Sequence, residues 1–177
     1  VPIWLGGPEV SYDSREVCQG TLFICLKGSK VDGHDFIEEA KAKGAVAVLV
    51  EKPASIAGIT MIQVENTRNA MQLIAPWFYD FPGQKVRMIG VTGTNGKTTT
   101  THILRSILRE AGYKVGLIGT IHSMIEEEVL PTKNTTPDVL DLQKLQSKMV
   151  QKDMDYVVME VSSHALVLNR VAGCEFD

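Results

Sequence analysis

The sequence is short of several things, and each shortage removes a class of function. It has three cysteines, Cys18, Cys25 and Cys174, an odd number with no C-x-x-C pair. That argues against a disulfide framework and a cysteine-bound metal, and points to a reduced, cytoplasmic protein. The net charge is −3, so there is no basic field and nucleic acid is not an expected partner. No apolar run approaches the roughly 20 residues that a helix needs to span a bilayer, so membrane insertion is not expected. Val1-Pro2-Ile3-Trp4 carries neither an initiator Met nor the charged and apolar regions of a signal peptide. The chain reads as trimmed at its front. Internal repeats and low-complexity segments are missing too.

What is present is ordinary globular composition, 44% hydrophobic and 22% charged over 177 residues, enough for one large domain or two small ones. The most informative stretch is Val86 to Leu108, VRMIGVTGTNGKTTTTHILRSIL. Val86 to Val91 has the apolar run of a buried parallel strand. Gly90, Gly93 and Gly96 allow a tight turn and close approach to a ligand. Lys97 and four threonines follow, then Ile103, Leu104, Ile107, Leu108 and Ala111 at helical spacing. Strand, glycine loop, Lys-Thr and helix is the layout of a phosphate-binding P-loop, in which loop amides and the helix dipole cradle phosphate oxygens. Lys97 would add charge at the β/γ-phosphates and the Thr98 hydroxyl would ligate Mg²⁺. The strict G-x-x-x-x-G-K-[ST] pattern is not met, because its first glycine falls on Val91. The loop is a variant, T-G-T-N-G-K-T-T.

Residues 1–83 carry their own alternation. Thr21 to Leu26, Ala45 to Val50 and Thr60 to Val64 read as strands, the second fully apolar. Asp35 to Lys43 reads as a short helix with Glu38 and Glu39 early, Lys41 and Lys43 late and Gly44 beyond its end. Asn66 or Thr67 would cap a helix running through Ala70, Leu73, Ile74 and Trp77. The polar loops Tyr12-Asp13-Ser14-Arg15 and Lys27 to His34 flank one strand, and as a pair would form a small-molecule pocket. Phe81-Pro82-Gly83 breaks the pattern and marks a boundary, leaving residues 84–177 as a second module.

In that module, Val115 to Gly119 and Tyr156 to Val161 are further strand candidates. Glu126 to Glu128 reads as a solvated turn. Thr136-Pro137-Asp138 reads as a helix start, with Thr136 as cap and Pro137 at the first helical position. Val139, Leu142, Leu145 and Met149 would form that helix's apolar face. Cys174 to Asp177 has the look of a further strand beginning. Strands alternating with helices imply a doubly wound, mostly parallel α/β sheet, with ligands beyond the carboxyl ends of its strands. Gly93 to Thr98, Thr120 to His122 and Glu160 to His164 should then share one crevice. Glu160 is a carboxylate in an otherwise apolar strand, costly unless paired or metal-bound. In P-loop proteins such an acid helps to hold Mg²⁺. No G-x-S-x-G elbow surrounds Ser162-Ser163-His164, so a nucleophilic serine is not expected. His164 reads evenly as a satisfied core histidine or as a group supporting the site. Asn134-Thr135-Thr136-Pro137 offers an anion site beside a helix N-terminus.

Three groups of residues together carry a resemblance. They are D-S-R-x-V-x-x-G-x-L-F from Asp13 with K-G-x-x-x-D-G-H-x-F from Lys27; the T-G-T-N-G-K-T-T loop; and N-T-T-P with M-E-V-S-S-H-A-L, ending in Arg170. They resemble the Mur ligases, ATP-dependent amide-bond ligases of peptidoglycan synthesis, most closely the MurE type. The T-G-T-N-G-K-T loop alone would mark only the superfamily.

The resemblance implies a UDP-substrate domain over 1–83 and a central ATP-binding domain over 84–177, incomplete at its C-terminal end. It implies that Ser14, Ser29, Lys30 and Val31 hold the uridine diphosphate end of the substrate. Thr92, Gly93, Thr94, Asn95, Gly96, Lys97 and Thr98 would bind ATP, with Lys97 and Glu160 catalytic and Thr98 and Glu160 on Mg²⁺. Asn134, Thr135, Thr136, Ser162 and Arg170 would hold the muramoyl-dipeptide. Leu168 stands where some members carry a glutamine. The implied partners of a monomer are UDP-N-acetylmuramoyl-L-alanyl-D-glutamate and a diamino acid, L-lysine or meso-diaminopimelate. The implied reaction passes through an acyl phosphate. The family's carbamylated lysine, later metal histidine and amino-acid-selecting loop lie beyond Asp177, so the stretch alone is expected to be inactive. A folylpolyglutamate-synthase-like ligase and a non-catalytic nucleotide-gated module are the alternatives.

Overall fold

The computed structural model describes residues 9–28, 31–53, 56–132 and 134–177. The chain forms two compact units, Val1–Met71 and Gln72–Asp177.

The first unit is a four-stranded, all-parallel sheet in the order β1 (Val10–Ser11), β2 (Leu22–Ile24), β3 (Ala47–Val50) and β4 (Thr60–Gln63). β1 has no counterpart in the sequence reading, because two residues carry no periodicity. Alternation along the strands sends Phe23, Cys25, Val48 and Val50 into one cluster with Ile37 and Ala40 of α1 (Ile37–Ala42). Ile24 and Leu49 lie between them on the opposite face and are as fully buried. α2 (Thr67–Phe78), whose first turn belongs to the first unit and whose remainder belongs to the second, begins under an Asn66 cap, whose Oδ1 accepts from the Asn69 amide at 2.8 Å. It buries Met71 and Ala75, while Leu73 and Trp77, two of the residues that the sequence placed along it, are exposed. β1 and β2 are parallel neighbours. The loops after them, around Ser14 and from Lys27 onward, therefore leave the same edge of the sheet.

The second unit holds a mixed five-stranded sheet in the order β5 (Arg87–Val91), β9 (Tyr156–Glu160), β6 (Val115–Ile118), β7 (Ser123–Ile125) and β8 (Glu128–Leu130). β5, β9 and β6 are parallel, whereas β7 and β8 form an antiparallel hairpin beyond them. That hairpin replaces the solvated turn read over 126–128. Only Glu126 and Glu127 turn, Glu126 at φ +53°, and Glu128 opens β8. Buried Arg105 secures the hairpin by donating from Nη2 to the Glu126 carbonyl at 2.6 Å, and burial lowers its pKa.

Helices cover both faces. α3 (Lys97–Glu110) sets Leu104 and Leu108 against Leu117 and Val158. α4 (Val139–Gln151) sets Leu142 and Met149 against Met88, Ile118, Val157 and Met159. The two sets alternate along β6 and β9, as a sheet buried on both sides requires. Ile103 and Ile107, one step round α3 from its packing face, are exposed. Gly116 lets α4 come close: a Cβ there would sit 2.8 Å from the Met149 sulfur. Phe176 bridges Met88 in parallel, and the Asp177 amide donates to the Met88 carbonyl at 2.9 Å, so the last residues lie along the outer edge of β5.

Candidate functional site

Register places the site. Val91 pairs with Glu160 and Ile118 with Met159, so β5, β9 and β6 end level. The glycine loop, Glu160 and the Gly119-Thr120 step therefore emerge together at the carboxyl edge, where parallel α/β sheets bind ligands. A cavity of about 380 Å³ opens there, lined by Thr94 to Thr99, Thr120, Thr135, Glu160 and Ser162. Of the predicted nucleotide residues, Thr94, Asn95, Gly96, Lys97 and Thr98 line it directly. Thr92 and Gly93 form the exposed approach to it.

The glycine loop is built for an anion. Gly96 precedes α3 at φ +80°, a left-handed conformation that glycine adopts without a Cβ penalty. No side chain caps α3. Its first-turn amides are thus available to phosphate oxygens at the positive end of the helix dipole. Lys97 reaches back over its own loop and donates to the Gly93 carbonyl at 2.7 Å. An ammonium has three protons, so two remain for other oxygens.

Facing the loop is Glu160, 1% exposed. Its carboxylate accepts from the Thr98 hydroxyl at 3.0 Å, the Thr120 amide at 2.9 Å and the Thr120 hydroxyl at 2.9 Å. Among the described residues, none that hydrogen-bonds Glu160 carries a positive charge. A buried carboxylate surrounded only by neutral donors suits a cation that arrives with the ligand. Among the described residues no group of three or more His, Cys, Asp or Glu could hold a metal. A single carboxylate and a threonine hydroxyl fit Mg²⁺, which keeps waters and takes phosphate oxygens for its remaining positions. Gly119 makes the arrangement possible: a Cβ there would stand 2.5 Å from Glu160 Oε1.

The 134–137 segment corrects one expectation. Thr136 does not cap a helix. α4 is capped by Asp138, whose Oδ1 accepts from the Val139 amide at 2.8 Å. The Thr136 hydroxyl is used elsewhere, donating to the Glu160 carbonyl at 2.9 Å and accepting from the Ser162 amide at 3.1 Å. That buried bond holds the segment one residue short of the helix and pins it to the end of β9. Arg170 Nη1 donates to the Thr136 carbonyl at 3.2 Å, and its buried Nε has no partner. Thr135 faces the cavity, and Asn134 is exposed beside it. Ser162 lines the cavity while its Oγ caps α5 (Ser163–Val167), accepting from the Ala165 amide at 3.1 Å. α5 buries only Ala165, so His164 is exposed rather than the core group that the sequence left open.

Sequence reasoning assigned no role to Thr120. The structure makes it the most connected hydroxyl of the cavity. Its signal was a Gly-Thr step at the end of an apolar strand, level with a strand ending in Glu.

In the first unit, Ser14 lies in a short 3₁₀ turn capped by Asp13, and the Lys43 ammonium donates to the Ser14 carbonyl at 2.9 Å. Val31 is exposed; Ser29 and Lys30 lie outside the described residues. The loop that contains them is closed at its base. Lys27 bridges Asp32, and the Asp32 carboxylate takes the His34 amide at 3.0 Å and sits 2.6 Å from His34 Nδ1. His34 Nε2 accepts from the Glu51 amide at 3.1 Å, which leaves the ring proton on Nδ1. The Glu51 carboxylate in turn accepts from the Thr67 amide and hydroxyl, each at 3.0 Å. These bonds join the ends of β2 and β3 to the start of α2 at the edge where both polar loops emerge.

A glycine loop that joins a strand to a helix and faces a strand-end carboxylate is the layout of P-loop proteins. The family follows from comparison. The Mur ligase family catalytic-domain model matches residues 9–79 and the Mur ligase middle-domain model matches residues 91–177. The chain belongs to the Mur ligase family. It is 50% identical over 169 residues to the UDP-N-acetylmuramoyl-L-alanyl-D-glutamate–2,6-diaminopimelate ligase of Bacillus cereus, covering 96% of this chain and 34% of that one. It is 52% identical over 169 residues to the ligase of the same name from Caldanaerobacter subterraneus, covering 95% and 35%. A solved structure of a ligase of that name superposes with a TM-score of 0.79 at 30% identity, over 96% of this chain and 34% of the other. The MurF ligase of Thermotoga maritima in complex with ADP superposes with a TM-score of 0.60 at 26% identity, over 88% and 32%. The chain spans about a third of the length of the curated relatives it matches.

Proposed function

We propose that this chain is the UDP-substrate and nucleotide-binding part of a MurE-type ligase. That enzyme joins diaminopimelate to UDP-N-acetylmuramoyl-L-alanyl-D-glutamate at the expense of ATP. The observation that carries the reading is the cavity between the glycine loop and Glu160, which Thr135 and Ser162 also line. Phosphate chemistry and substrate positioning thereby meet in one space. Diaminopimelate is chosen over L-lysine because relatives at 46–52% identity are named for it.

The residues act by placement. The loop amides and the first turn of α3 hold the phosphate chain, and the free protons of Lys97 draw charge off the terminal phosphate. Thr98 and Glu160 would hold Mg²⁺, which supplies charge neutralisation at the phosphates. The 134–136 segment and Arg170 orient the D-glutamate carboxylate toward the γ-phosphate. Its oxygen attacks phosphorus, ADP leaves, and an acyl phosphate results. An incoming amine then displaces phosphate and the amide forms. No side-chain nucleophile is required. The UDP end belongs to the first module, 1–83, through Ser14, the 29–31 loop and the base held by Asp32 and His34. The second module, 84–177, holds ATP. The setting proposed for a monomer is cytoplasmic; no helix among the described residues is long and apolar enough to cross a membrane.

The test is ligation by the intact protein with ATP, Mg²⁺, UDP-N-acetylmuramoyl-L-alanyl-D-glutamate and either diaminopimelate or L-lysine, with products read by mass. Diaminopimelate should be incorporated, and Lys97→Ala should nearly abolish incorporation while leaving UDP-substrate binding in place. A Lys97→Ala protein that ligates at near wild-type rate would overturn the assignment of the loop.

A further inference from the structure

We propose that Gln72, on α2, is a positioning residue that aims Arg170 by clamping the turn at the end of α5. The proposal rests on the reading of Arg170 as a group that orients the muramoyl-dipeptide. Gln72 and residues 168–170 all belong to the second unit. The Gln72 side-chain amide is used at both ends. Its Nε2 donates to the Leu168 carbonyl at 3.0 Å, and its Oε1 accepts from Asn169 Nδ2 at 3.0 Å. The two bonds demand one orientation of the amide. Turned over, it would set donor against donor and acceptor against acceptor.

The clamped turn is one that needs support. The Asn169 amide donates to the Leu166 carbonyl at 3.0 Å and the Arg170 amide to the Ala165 carbonyl at 2.8 Å. That pair of bonds is the Schellman close of a helix, which requires a left-handed residue just past the helix end. Glycine is the usual choice; here the position is held by Asn169, at φ +49°. Asparagine tolerates that conformation better than most side chains, though less freely than glycine. Gln72 grips it from two sides, at the carbonyl just before it and at its own side chain. α5 is five residues long and buries only Ala165, so its packing alone does little to fix the turn.

Arg170 is the next residue, and its direction depends on that turn. Its backbone is set by the bond to Ala165, and its Nη1 donates to the Thr136 carbonyl at 3.2 Å. A guanidinium carries its donors in a rigid fork, so a change in the direction from which the side chain enters moves them all together. When the turn relaxes out of the left-handed region, the Arg170 amide leaves the Ala165 carbonyl and the fork no longer meets the 134–136 segment. A misplacement of about 1 Å at a positioning group is enough to cost tenfold or more in rate.

The experiment measures steady-state ligation by the intact protein, with UDP-N-acetylmuramoyl-L-alanyl-D-glutamate and ATP varied separately. Gln72→Met keeps the bulk of the side chain and removes both bonds. It should lower kcat/KM for the muramoyl substrate about tenfold and leave KM for ATP unchanged. In an Arg170→Ala background the same change should cost nothing further, because its effect passes through Arg170. Asn169 is exposed and supplies variants that leave the core alone. Asn169→Val, which holds a left-handed turn poorly, should reproduce the loss, and Asn169→Gly, which holds it freely, should not. A Gln72→Met protein with wild-type kinetics overturns the clamp. So does one that raises KM for ATP as much as KM for the muramoyl substrate, or whose loss persists in full without the Arg170 guanidinium, since Gln72 would then act on the fold at large. An Asn169→Gly protein as poor as the valine variant overturns the role of the turn. An Arg170→Ala protein with unchanged kcat/KM for the muramoyl substrate would instead overturn the reading of Arg170 on which the proposal rests.

Discussion

Gly119→Ala tests the carboxylate's position most sharply. Gly119 does not occupy a positive-φ conformation. Alanine is therefore free of backbone strain there, and its whole effect is the added methyl. That methyl would lie 2.5 Å from Glu160 Oε1, about 0.9 Å inside ordinary contact. The carboxylate borders the cavity but is held in place by the Thr98 hydroxyl and the Thr120 amide and hydroxyl. Moving Oε1 by that amount breaks its 2.9 Å bond from the Thr120 amide. A buried donor left unpaired costs about 1–3 kcal/mol, and an overpacked methylene costs a similar amount. Partial relaxation should leave a net loss of about 2 kcal/mol in the second unit. For a unit of roughly 100 residues that is a fall in Tm of about 10 °C. Calorimetric unfolding would measure it, with Mg²⁺-dependent ADP binding as the second readout, expected to weaken by about tenfold or more. Tm and Mg²⁺-dependent affinity both equal to wild type would show that Gly119 does not hold the carboxylate, and the cation end would need redrawing.

Other outcomes follow from the same geometry. Thr135→Ala and Arg170→Ala should weaken capture of the muramoyl-dipeptide more than that of ATP; calorimetry showing only ATP affinity falling would move both residues to the nucleotide. The Thr67 amide and hydroxyl hold the Glu51 carboxyl below its ordinary value, and the His34 amide and ring do the same for Asp32. Carboxyls with depressed folded-state pKa values contribute stability that is complete above the ordinary carboxylate range and lost as pH falls through it. The first unit should melt progressively lower below about pH 4.5, and Glu51→Gln should flatten that dependence and cost about 1 kcal/mol at neutral pH through the weakened α2 start. An unchanged pH profile in Glu51→Gln would show that the carboxylate is not bound in this way. Lys97→Arg should bind nucleotide yet ligate poorly, because the planar guanidinium cannot replace a compact ammonium folded over its own loop; near-normal turnover would refute that demand.

How far the site was readable depended on the range of its contacts. The P-loop unit was legible because strand, glycines, Lys97, Thr98 and helix are contiguous, and local propensity agrees with the fold at each step. Glu160 was legible by contrast, a lone acid in YVVME. Thr136 was misread because its cap-like position before Pro137 and Asp138 obeys every local rule, while the bond that decides its role runs to Glu160 and Ser162 in β9 and beyond. Thr120 was placed in the crevice but given no role for the same reason, its partners lying in two other segments. In Glu126-Glu127-Glu128 the charges suggested solvent, but the turn needs only two residues and Arg105 receives one of their carbonyls. Leu73, Trp77, Ile103 and Ile107 show that helical spacing finds a helix more surely than it finds which ridge of that helix is buried.

The close fit of Met149 over Gly116 has a mechanical consequence. α4 is a stiff rod whose capping residue, Asp138, continues directly from the 134–137 segment. Met149 lies eleven residues from that cap, about 16 Å away at the rise of an α-helix. The sulfur contact works as a fulcrum near one end of a lever whose other end carries Thr135 and Thr136. A single methyl introduced at Gly116 would press on the flexible Met149 thioether, and only the part of that strain the side chain cannot absorb by turning aside would pass along the rod. Strain passed along the rod would reach the cavity's wall from a point that touches no ligand. Activity should therefore be sensitive to the thickness of the core at the opposite edge of the sheet, and a bulkier residue at Gly116 should be tolerated best when Met149 is trimmed to match.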